Sequence, residues 1–391
     1  MKKYILLAAA SILLYSCSEM DEVKDVEKIQ MLNTTISINV KLPDGVPAPT
    51  SYTYKLNNFS DKIEIVKTGD GSGSITLDDV IPGIYTINVS SEVVTADFTY
   101  NFNGSVANEQ LLTDNKKVSI DVAASKSGNI IFKELYYCGS KTPSGGSYFR
   151  DQYYELYNNS NSVQYLDGLC IGNINPLVAT ASLPSYPGEN PDDYLYFLTV
   201  WQIPGIPQSL EGSTHNYPIQ PGESVIIAQM ADNHQRAELN PACPVNLLSA
   251  EFEAYLKSTA IIKDNPAINM HLAFWPRPTY QWLVTVFGGA YAIFYPDHEI
   301  DPNEYTSPIN STQKLCKISI DCVVDAVELV NDPTKMKLKR MPAVLDAGAT
   351  TVSATYCGKS VARKIKSTLE DGRIIYQDTN NSTEDFEVMD K

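Results

Sequence analysis

The sequence predicts an all-β protein with two β-sandwich domains. From residue 34 to 125, short segments alternate apolar and polar residues, as in TTISINVKL, where Ile36 and Ile38 share one face. Turns such as PDG and TGDGSGS divide this region into about seven strands, enough for a small sandwich. A second series of alternating segments follows the polar stretch SKSG at residues 125–128. We therefore place the two domains at 34–125 and 128–391.

The N-terminus has the features of a lipoprotein signal peptide at residues 1–16. A basic MKK start precedes YILLAAASILLY, an apolar run too short to span a membrane. Leu14 and Ser16 lie three and one positions before Cys17, which resembles the lipobox of bacterial lipoprotein signal peptidase, although Tyr15 is bulkier than usual. We predict lipid attachment at Cys17, which anchors the chain without spanning the membrane. The alternative is an ordinary secretory signal with a chance cysteine.

Residues 17–33 are predicted to form an acidic tether. SEMDEVKDVEK resembles the surface-export signal of Bacteroidota lipoproteins, and an ordinary charged tether is the alternative. The whole chain has 30 basic and 46 acidic residues, a net charge of −16, which disfavours nucleic acid and anionic lipid as partners. We therefore expect a protein anchored by lipid to the outer membrane and exposed at the cell surface.

Six cysteines follow Cys17, an even number that permits disulfides in an exported protein. We expect one or two, without assigning their pairing. Cys316 and Cys322 lie in KLCKISIDCVV, which alternates like one strand. Six residues along a strand span about 20 Å, too far for a disulfide between these two. The spacing fits no common zinc site.

The second domain resembles a lamin-tail-like domain, an immunoglobulin-type sandwich. NIIFKELYY, YYELYNNSNSVQYLDGLCIG and YPIQPGESVIIA carry the resemblance, although the tryptophan usual after the glycine is replaced by Leu169. The resemblance implies that Glu155 is a structural hydrogen-bond acceptor and that Arg363 is the arginine of a Ser-x-x-Arg element. Since a buried carboxylate needs a partner, Arg363 or a loop amide is expected beside Glu155. Residues 175–310 would be a long insertion in this fold.

The insertion is also expected to contain a short helix. SAEFEAYLKS, residues 249–258, begins with Ser249 as a candidate cap and has an acidic first turn.

In the first domain, PGIYTINV resembles prealbumin-like or carboxypeptidase-regulatory-like modules, which usually act as spacers. Both domains are therefore expected to be immunoglobulin-like.

A narrower resemblance covers about residues 129–389. WQIPG, YPIQPGESVIIAQMADNH, KDNPAINM and DTNNSTEDF resemble a family of uncharacterised Bacteroidota surface lipoproteins, a domain of unknown function. Members of this family tend to accompany TonB-dependent outer-membrane transporters. The resemblance therefore implies a role near nutrient uptake, with a transporter as partner, but does not identify a substrate.

Aromatic residues in the predicted insertion are the candidate ligand-binding groups. They are Trp201, Trp275, Trp282 and Tyr280, within DDYLYFLTVWQIP and HLAFWPRPTYQWLVTVF. Exposed Trp and Tyr side chains can form platforms for sugars, flat ligands or partner proteins. Pro276, beside Trp275, favours an irregular exposed loop. The alternative is that these aromatic side chains pack within the protein.

We predict that the protein is not an enzyme and uses no cofactor. The four histidines are scattered, and no GxSxG, HExxH, P-loop or GxGxxG sequence is present. DHEIDPNEY places Asp297, Glu299 and Asp301 at alternate positions, as in calcium loops, but the glycine of an EF-hand is missing and Pro302 intervenes. A solvated acidic loop is the alternative to a metal site.

These observations favour a lipid-anchored binding or accessory protein of TonB-dependent uptake, with an iron complex or another scarce nutrient as cargo. A glycan-binding surface module is the alternative function. We rank a hydrolase third.

Overall fold

The computed structural model describes residues 30–391, except 44, 95–98, 189, 283 and 336–337. The predicted signal peptide, Cys17 and most of the acidic tether lie outside the described residues. Nearly all regular structure is β, which confirms the predicted all-β class. Within the described residues, no helix is long and apolar enough to cross a membrane.

The first region contains the seven strands that the sequence predicts. They are β1 (Leu32–Lys41), β2 (Ser51–Asn58), β3 (Ile63–Asp70), β4 (Ser74–Val80), β5 (Gly83–Val94), β6 (Thr99–Leu111) and β7 (Lys116–Lys126). They form one sheet in the order β3-β2-β5-β6-β7-β1-β4, in which β1 and β7 are parallel. Ile36, Tyr54, Tyr85 and Phe102 lie in a core made only of residues from this region.

The second region contains nineteen further strands among the described residues. They are β8 (Ile130–Tyr136), β9 (Ser140–Lys141), β10 (Ser147–Tyr148), β11 (Tyr153–Asn158), β12 (Gln164–Tyr165), β13 (Cys170–Ile174), β14 (Tyr194–Gln202), β15 (Pro218–Ile219), β16 (Ser224–Ala228), β17 (Phe252–Glu253), β18 (Ile268–Asn269), β19 (His271–Phe274), β20 (Ala290–Phe294), β21 (Cys316–Ser319), β22 (Val323–Glu328), β23 (Lys359–Arg363), β24 (Ile365–Thr368), β25 (Ile374–Tyr376) and β26 (Phe386–Asp390).

Two large sheets form a sandwich-like core in this region. One has the order β18-β17-β16-β11-β8-β23-β26, and the other β19-β14-β13-β20-β22 with β21 paired to β14. Phe132 and Tyr154 from the first sheet share a hydrophobic cluster with Trp201 and Tyr291 from the second. The short pairs β9–β10, β12–β15 and β24–β25 lie outside these sheets.

The helix predicted at residues 249–258 is wrong. This segment contains β17, and Phe252 is buried in the main core. The Glu253 carboxylate accepts hydrogen bonds from the amides of Ala231 (2.9 Å) and Asn265 (3.3 Å), so the acidic residue satisfies loop amides rather than capping a helix. Among the described residues the α-helix is α1 (Ser382–Asp385), and single 3₁₀ turns occur at Pro191–Asp193, Ile320–Cys322 and Pro333–Lys335.

The predicted insertion is not peripheral to the sandwich. Residues 175–310 supply the sheet strands β14, β16 and β20. Of these, β14 pairs with β13, β19 and β21. The single strand predicted through Cys316 and Cys322 is also wrong, because a 3₁₀ turn separates β21 from β22. The six described cysteines are all thiols in the structure.

Candidate ligand-binding cleft

Two of the four candidate aromatic residues are core residues. Trp201 and Trp282 are 0% and 1% exposed, respectively. Trp201 belongs to β14 in the middle of a sheet, and the Trp282 indole N–H donates to Thr199 Oγ1 at 3.0 Å. The prediction that these two tryptophans contact a surface ligand is therefore corrected: they pack the sandwich.

The other two aromatic residues lie in the loop that follows β19. Trp275 is half-buried and packs against the main core, whereas Tyr280 is 60% exposed. The Lys257 Nζ lies 4.4 Å from the centroid of the Tyr280 ring, a cation–π distance. The exposed aromatic surface of this loop is therefore mainly a single tyrosine with an adjacent ammonium group.

Glu155 has a structural partner, but not the expected arginine. On β11, Tyr154 and Leu156 face the core as predicted. The half-buried Glu155 carboxylate accepts a hydrogen bond from the Lys133 ammonium at 2.6 Å, and Lys133 lies on the neighbouring strand β8. A cross-strand ion pair, rather than Arg363 or a loop amide, satisfies this carboxylate.

Arg363 lies instead among three buried aspartates. Its guanidinium donates to Asp325 at 2.8 Å and to Asp378 and Asp385 at 3.2 Å. Its Nε donates to the carbonyl oxygen of Phe132 at 2.9 Å. Burial raises the pKa of Asp325 to about 7 and that of Asp385 to about 6, although the guanidinium opposes both increases. The arginine is thus structural, as the resemblance implied.

The DTNNSTEDF segment, residues 378–386, connects the two regions of the protein. Asn101 and Asn103 on β6 donate side-chain hydrogen bonds to the carbonyl oxygens of Asp378 (3.1 Å) and Thr379 (2.9 Å). The Asn380 side chain donates to Ser125 Oγ at 2.7 Å. The distinctive polar motif of the C-terminus is therefore an inter-region contact rather than a ligand site.

A buried polar cluster in the second region contains a cysteine and an aspartate. The fully buried Asp151 accepts hydrogen bonds from Ser140 Oγ (2.6 Å) and Cys243 Sγ (3.3 Å). Burial raises the pKa of the Cys243 thiol to about 12 and lowers that of His234 to about 4. His234 contacts the Tyr148 hydroxyl, with 2.8 Å between Nδ1 and the phenolic oxygen. The sulfur is a thiol at neutral pH and is closed off from solvent.

The predicted acidic loop is exposed, and its carboxylates do not converge. Asp297, Glu299 and Asp301 all face solvent. Asp297 contacts its neighbour His298 at 2.5 Å, and Asp301 accepts the backbone N–H of Asn303 at 2.8 Å. Among the described residues, no group of three His, Cys, Asp or Glu side chains is placed to hold a metal. The three side chains are exposed, as expected for a solvated acidic loop.

The same loop nevertheless forms one wall of a cleft of about 280 Å³. The cleft is lined by His298, Ile300, Asp301, Glu304, Tyr305, Thr306, Cys316 and Lys317. Reciprocal backbone hydrogen bonds of 2.9 Å between Thr306 and Leu315 hold the loop against the start of β21. This arrangement fixes the wall that carries Glu304 and Tyr305 relative to Lys317.

The cleft combines three kinds of recognition group. Asp301 and Glu304 supply carboxylate acceptors, and Lys317 supplies an ammonium donor. The half-exposed Tyr305 supplies an aromatic ring, and the Lys314 Nζ lies 4.1 Å from its centroid. Lys317 Nζ lies 3.6 Å from the centroid of the Tyr194 ring, so the ammonium group also makes a cation–π contact within the protein. This set of groups suits a small polar ligand that has both donors and acceptors.

A second, more open cavity of about 290 Å³ lies between the two regions. Ser105 and Asn108 of β6 face Leu183, Lys339 and Met341 across it. Lys339 is committed to the protein, because its ammonium group donates to the carbonyl oxygen of Asp346.

The sequence indicates only one wall of the first cleft. DHEIDPNEY shows the acidic positions and ends in Tyr305, but nothing in the pattern marks this tyrosine as a binding residue. Lys317 lies twelve residues later, on β21, and only the pairing of Thr306 with Leu315 brings it to the loop. The acidic loop is the part of the cleft that the sequence shows, and its pattern predicts a solvated loop or, as the weaker alternative, a metal site.

The fold and cleft define an all-β, sandwich-like protein with a surface cleft of mixed charge. The chain belongs to the DUF4876 family. A family model described as "Protein of unknown function (DUF4876)" matches residues 220–391. The crystal structure of a DUF4876 family protein from Bacteroides thetaiotaomicron VPI-5482 is 39% identical, covering 91% of this chain and 94% of that chain, with a TM-score of 0.62.

The other comparisons add no functional argument. A candidate cell adhesion protein from Bacteroides eggerthii DSM 20697 is 9% identical over 51% of this chain and 80% of that chain, with a TM-score of 0.18. No curated protein matches the sequence. The predicted resemblance to an uncharacterised Bacteroidota family is confirmed by the DUF4876 match, whereas the lipoprotein, immunoglobulin-like and lamin-tail-like features stay predictions.

Proposed function

We propose that this chain is a lipid-anchored, surface-exposed binding protein of the outer membrane, and that it assists a TonB-dependent transporter. The binding role is inferred from the cleft of about 280 Å³, which is lined by Glu304, Tyr305 and Lys317. The lipobox-like sequence before Cys17 supports the anchor, and the family resemblance supports the transporter association. The chain acts without catalysis or a cofactor.

The cleft selects small ligands with hydroxyl, amino or carboxylate groups. Glu304 and Asp301 accept hydrogen bonds, Lys317 pairs with an anionic group, and Tyr305 packs against an apolar face of the ligand. Polar monosaccharides and metal–carboxylate complexes such as ferric citrate both have such groups. The volume is at the lower end for ligand pockets, which favours a compact ligand.

Thermal unfolding of the full chain with individual ligands tests the binding role. Suitable probes are ferric citrate, galacturonate, N-acetylglucosamine and N-acetylneuraminate. A saturable rise in Tm with one probe is expected, because a ligand that binds only the folded state stabilises it. Tyr305→Ala is expected to abolish the rise, and Tyr280→Ala, in a different loop, to retain it. An equal rise in the Tyr305→Ala variant would contradict the role of the cleft.

A glycan-binding module is the second candidate function. The observation that favours it is the 60% exposed Tyr280 ring with the Lys257 ammonium 4.4 Å away. Affinity electrophoresis across host and plant polysaccharides tests this function. Retardation that is lost in Tyr280→Ala but retained in Tyr305→Ala would favour glycan binding by this loop, and unchanged mobility in every gel would contradict it.

A further inference from the structure

Two cysteines distant in sequence meet at one end of the sandwich. Cys138 follows β8 by two residues, and Cys357 precedes β23 by two residues. They are 219 positions apart in the chain, yet their sulfur atoms are 3.4 Å apart. Neighbouring thiols this close need only a small side-chain movement to reach the bonding distance of about 2.05 Å.

The backbone holds the two cysteines opposite each other. The amide of Tyr356 donates to the carbonyl oxygen of Cys138 at 2.6 Å, and the amide of Gly358 donates to that of Gly139 at 3.1 Å. Both neighbours of Cys357 are therefore bonded to the Cys138–Gly139 segment. Tyr356 and Gly358 have φ values of 53° and 66°, in the left-handed region that is unusual for tyrosine. The turn thus has a specific shape that directs Cys357 towards Cys138.

The two thiols differ in access to solvent. Cys357 is half-buried, so an oxidant can reach it. Cys138 is fully buried, its thiol donates to the carbonyl oxygen of Lys359 at 3.1 Å, and burial raises its pKa to about 12. The accessible thiol therefore reacts first with an external oxidant, and the buried thiol resolves the intermediate.

We propose that Cys138 and Cys357 form an intramolecular disulfide when the protein is in an oxidising compartment. The oxidant is a disulfide, either that of an envelope thiol–disulfide oxidoreductase or glutathione disulfide. Cys357 thiolate attacks one sulfur of the oxidant and releases one thiol. Cys138 then attacks the Cys357 sulfur of the mixed disulfide and releases the second thiol. The two cysteines lose two electrons and two protons, and both are recovered in the two thiols of the reduced oxidant.

The crosslink would join the end of β8 to the turn that leads into β23. Disulfides stabilise proteins largely by restricting the unfolded chain, and the effect increases with the length of the loop that is closed. The bond would close a loop of 219 positions, which is long, so its effect on the unfolded chain should be large. The bond would retain the C-terminal strands β23 and β26 on the sheet after local unfolding.

Peptide mapping of the full chain tests the pairing. The protein is isolated from cell envelopes without reductant, unfolded, treated with N-ethylmaleimide and digested with trypsin. We expect peptide 134–141 linked to peptide 341–359, with the other four described cysteines alkylated. Reduction with dithiothreitol should separate the two peptides, and glutathione disulfide added to the reduced, refolded protein should join them again.

The alternatives are distinguishable. Alkylation of both Cys138 and Cys357, before and after glutathione disulfide, would overturn the proposal, as would a link from Cys357 to another cysteine. A link formed only after glutathione disulfide is added supports the pair and contradicts the proposed export, so the two proposals fail separately. The same map of Cys322→Ser should keep the crosslink and that of Cys357→Ser should lose it. If the Cys357→Ser variant does not fold, the peptide map of the unsubstituted protein still shows whether Cys138 and Cys357 are linked.

Discussion

Arg363 and Asp325 form a buried ion pair that connects the two large sheets of the second region. Arg363 lies on β23 and Asp325 on β22, and the arginine Nη2 is 2.8 Å from both carboxylate oxygens. Both residues also bind the backbone of Phe132 on β8: Arg363 Nε donates to its carbonyl oxygen, and Asp325 accepts its N–H at 2.7 Å. One pair of side chains therefore fixes three strands.

Replacement of Arg363 with Met should lower the free energy of unfolding by about 3–5 kcal/mol, because three buried carboxylates lose their counter-ion. Guanidinium-induced unfolding monitored by circular dichroism measures this change. Lys366→Ala is the matched control, since its ion pair with Glu92 is exposed and should contribute less than about 1 kcal/mol. Equal losses in the two variants would contradict the structural role of Arg363.

Stability should fall as the pH rises from about 4 to about 7. The folded-state pKa of Asp325, about 7, and that of Asp385, about 6, both exceed the ordinary value because of burial. The folded protein therefore binds more protons than the unfolded chain between about pH 4 and 7, so protonation stabilises the fold. Urea titrations at several pH values should show this slope, and Asp325→Asn should reduce it. An unchanged slope in that variant would exclude Asp325 as the source.

Trp282→Ala should destabilise the protein by about 3–5 kcal/mol, because the indole is buried and its removal leaves a cavity. Tyr280→Ala should change stability by less than about 0.5 kcal/mol, since most of that ring is in solvent. Chemical denaturation of both variants tests the assignment of Trp282 to the core. A stable, folded Trp282→Ala protein would support the exposed-platform hypothesis instead.

Asn103→Ala should weaken the contact between the two regions. The substitution removes the 2.9 Å hydrogen bond to the carbonyl oxygen of Thr379, with an expected cost of about 1 kcal/mol. Hydrogen exchange should become faster in peptides covering residues 377–381. Asn39→Ala, which removes a hydrogen bond between exposed side chains within the first sheet, is the control and should leave these peptides unchanged.

Local patterns predicted much of the strand structure. The alternation around Ile36 predicts β1, because that strand has one face towards a core, and the apolar run in GESVIIA predicts β16. SAEFEAYLKS wrongly predicts a helix because its acidic residues resemble a first helical turn. In the structure Glu253 is buried and accepts hydrogen bonds from loop amides. Such a carboxylate cannot be recognised before the loops that it binds are placed.

Contacts between segments distant in the chain cannot be predicted from local patterns, because they depend on how the strands pair. Trp201 lies in a segment that the sequence predicts as an insertion, but β14 pairs with the preceding strand β13 and with β19 and β21, which are distant in the chain. The sequence predicts that Glu155 needs a partner. It does not predict Lys133, because only the register between β8 and β11 places these two side chains together. The cleft likewise depends on the pairing of Thr306 with Leu315.

Co-purification from solubilised outer membranes tests the proposed function most directly. The tagged full-length chain is captured and its partners are identified by mass spectrometry, with Cys17→Ser as the unanchored control. We expect one TonB-dependent transporter in stoichiometric amount with the unsubstituted chain and a strongly reduced amount with the control. Recovery of no transporter with either protein would contradict a role in TonB-dependent uptake.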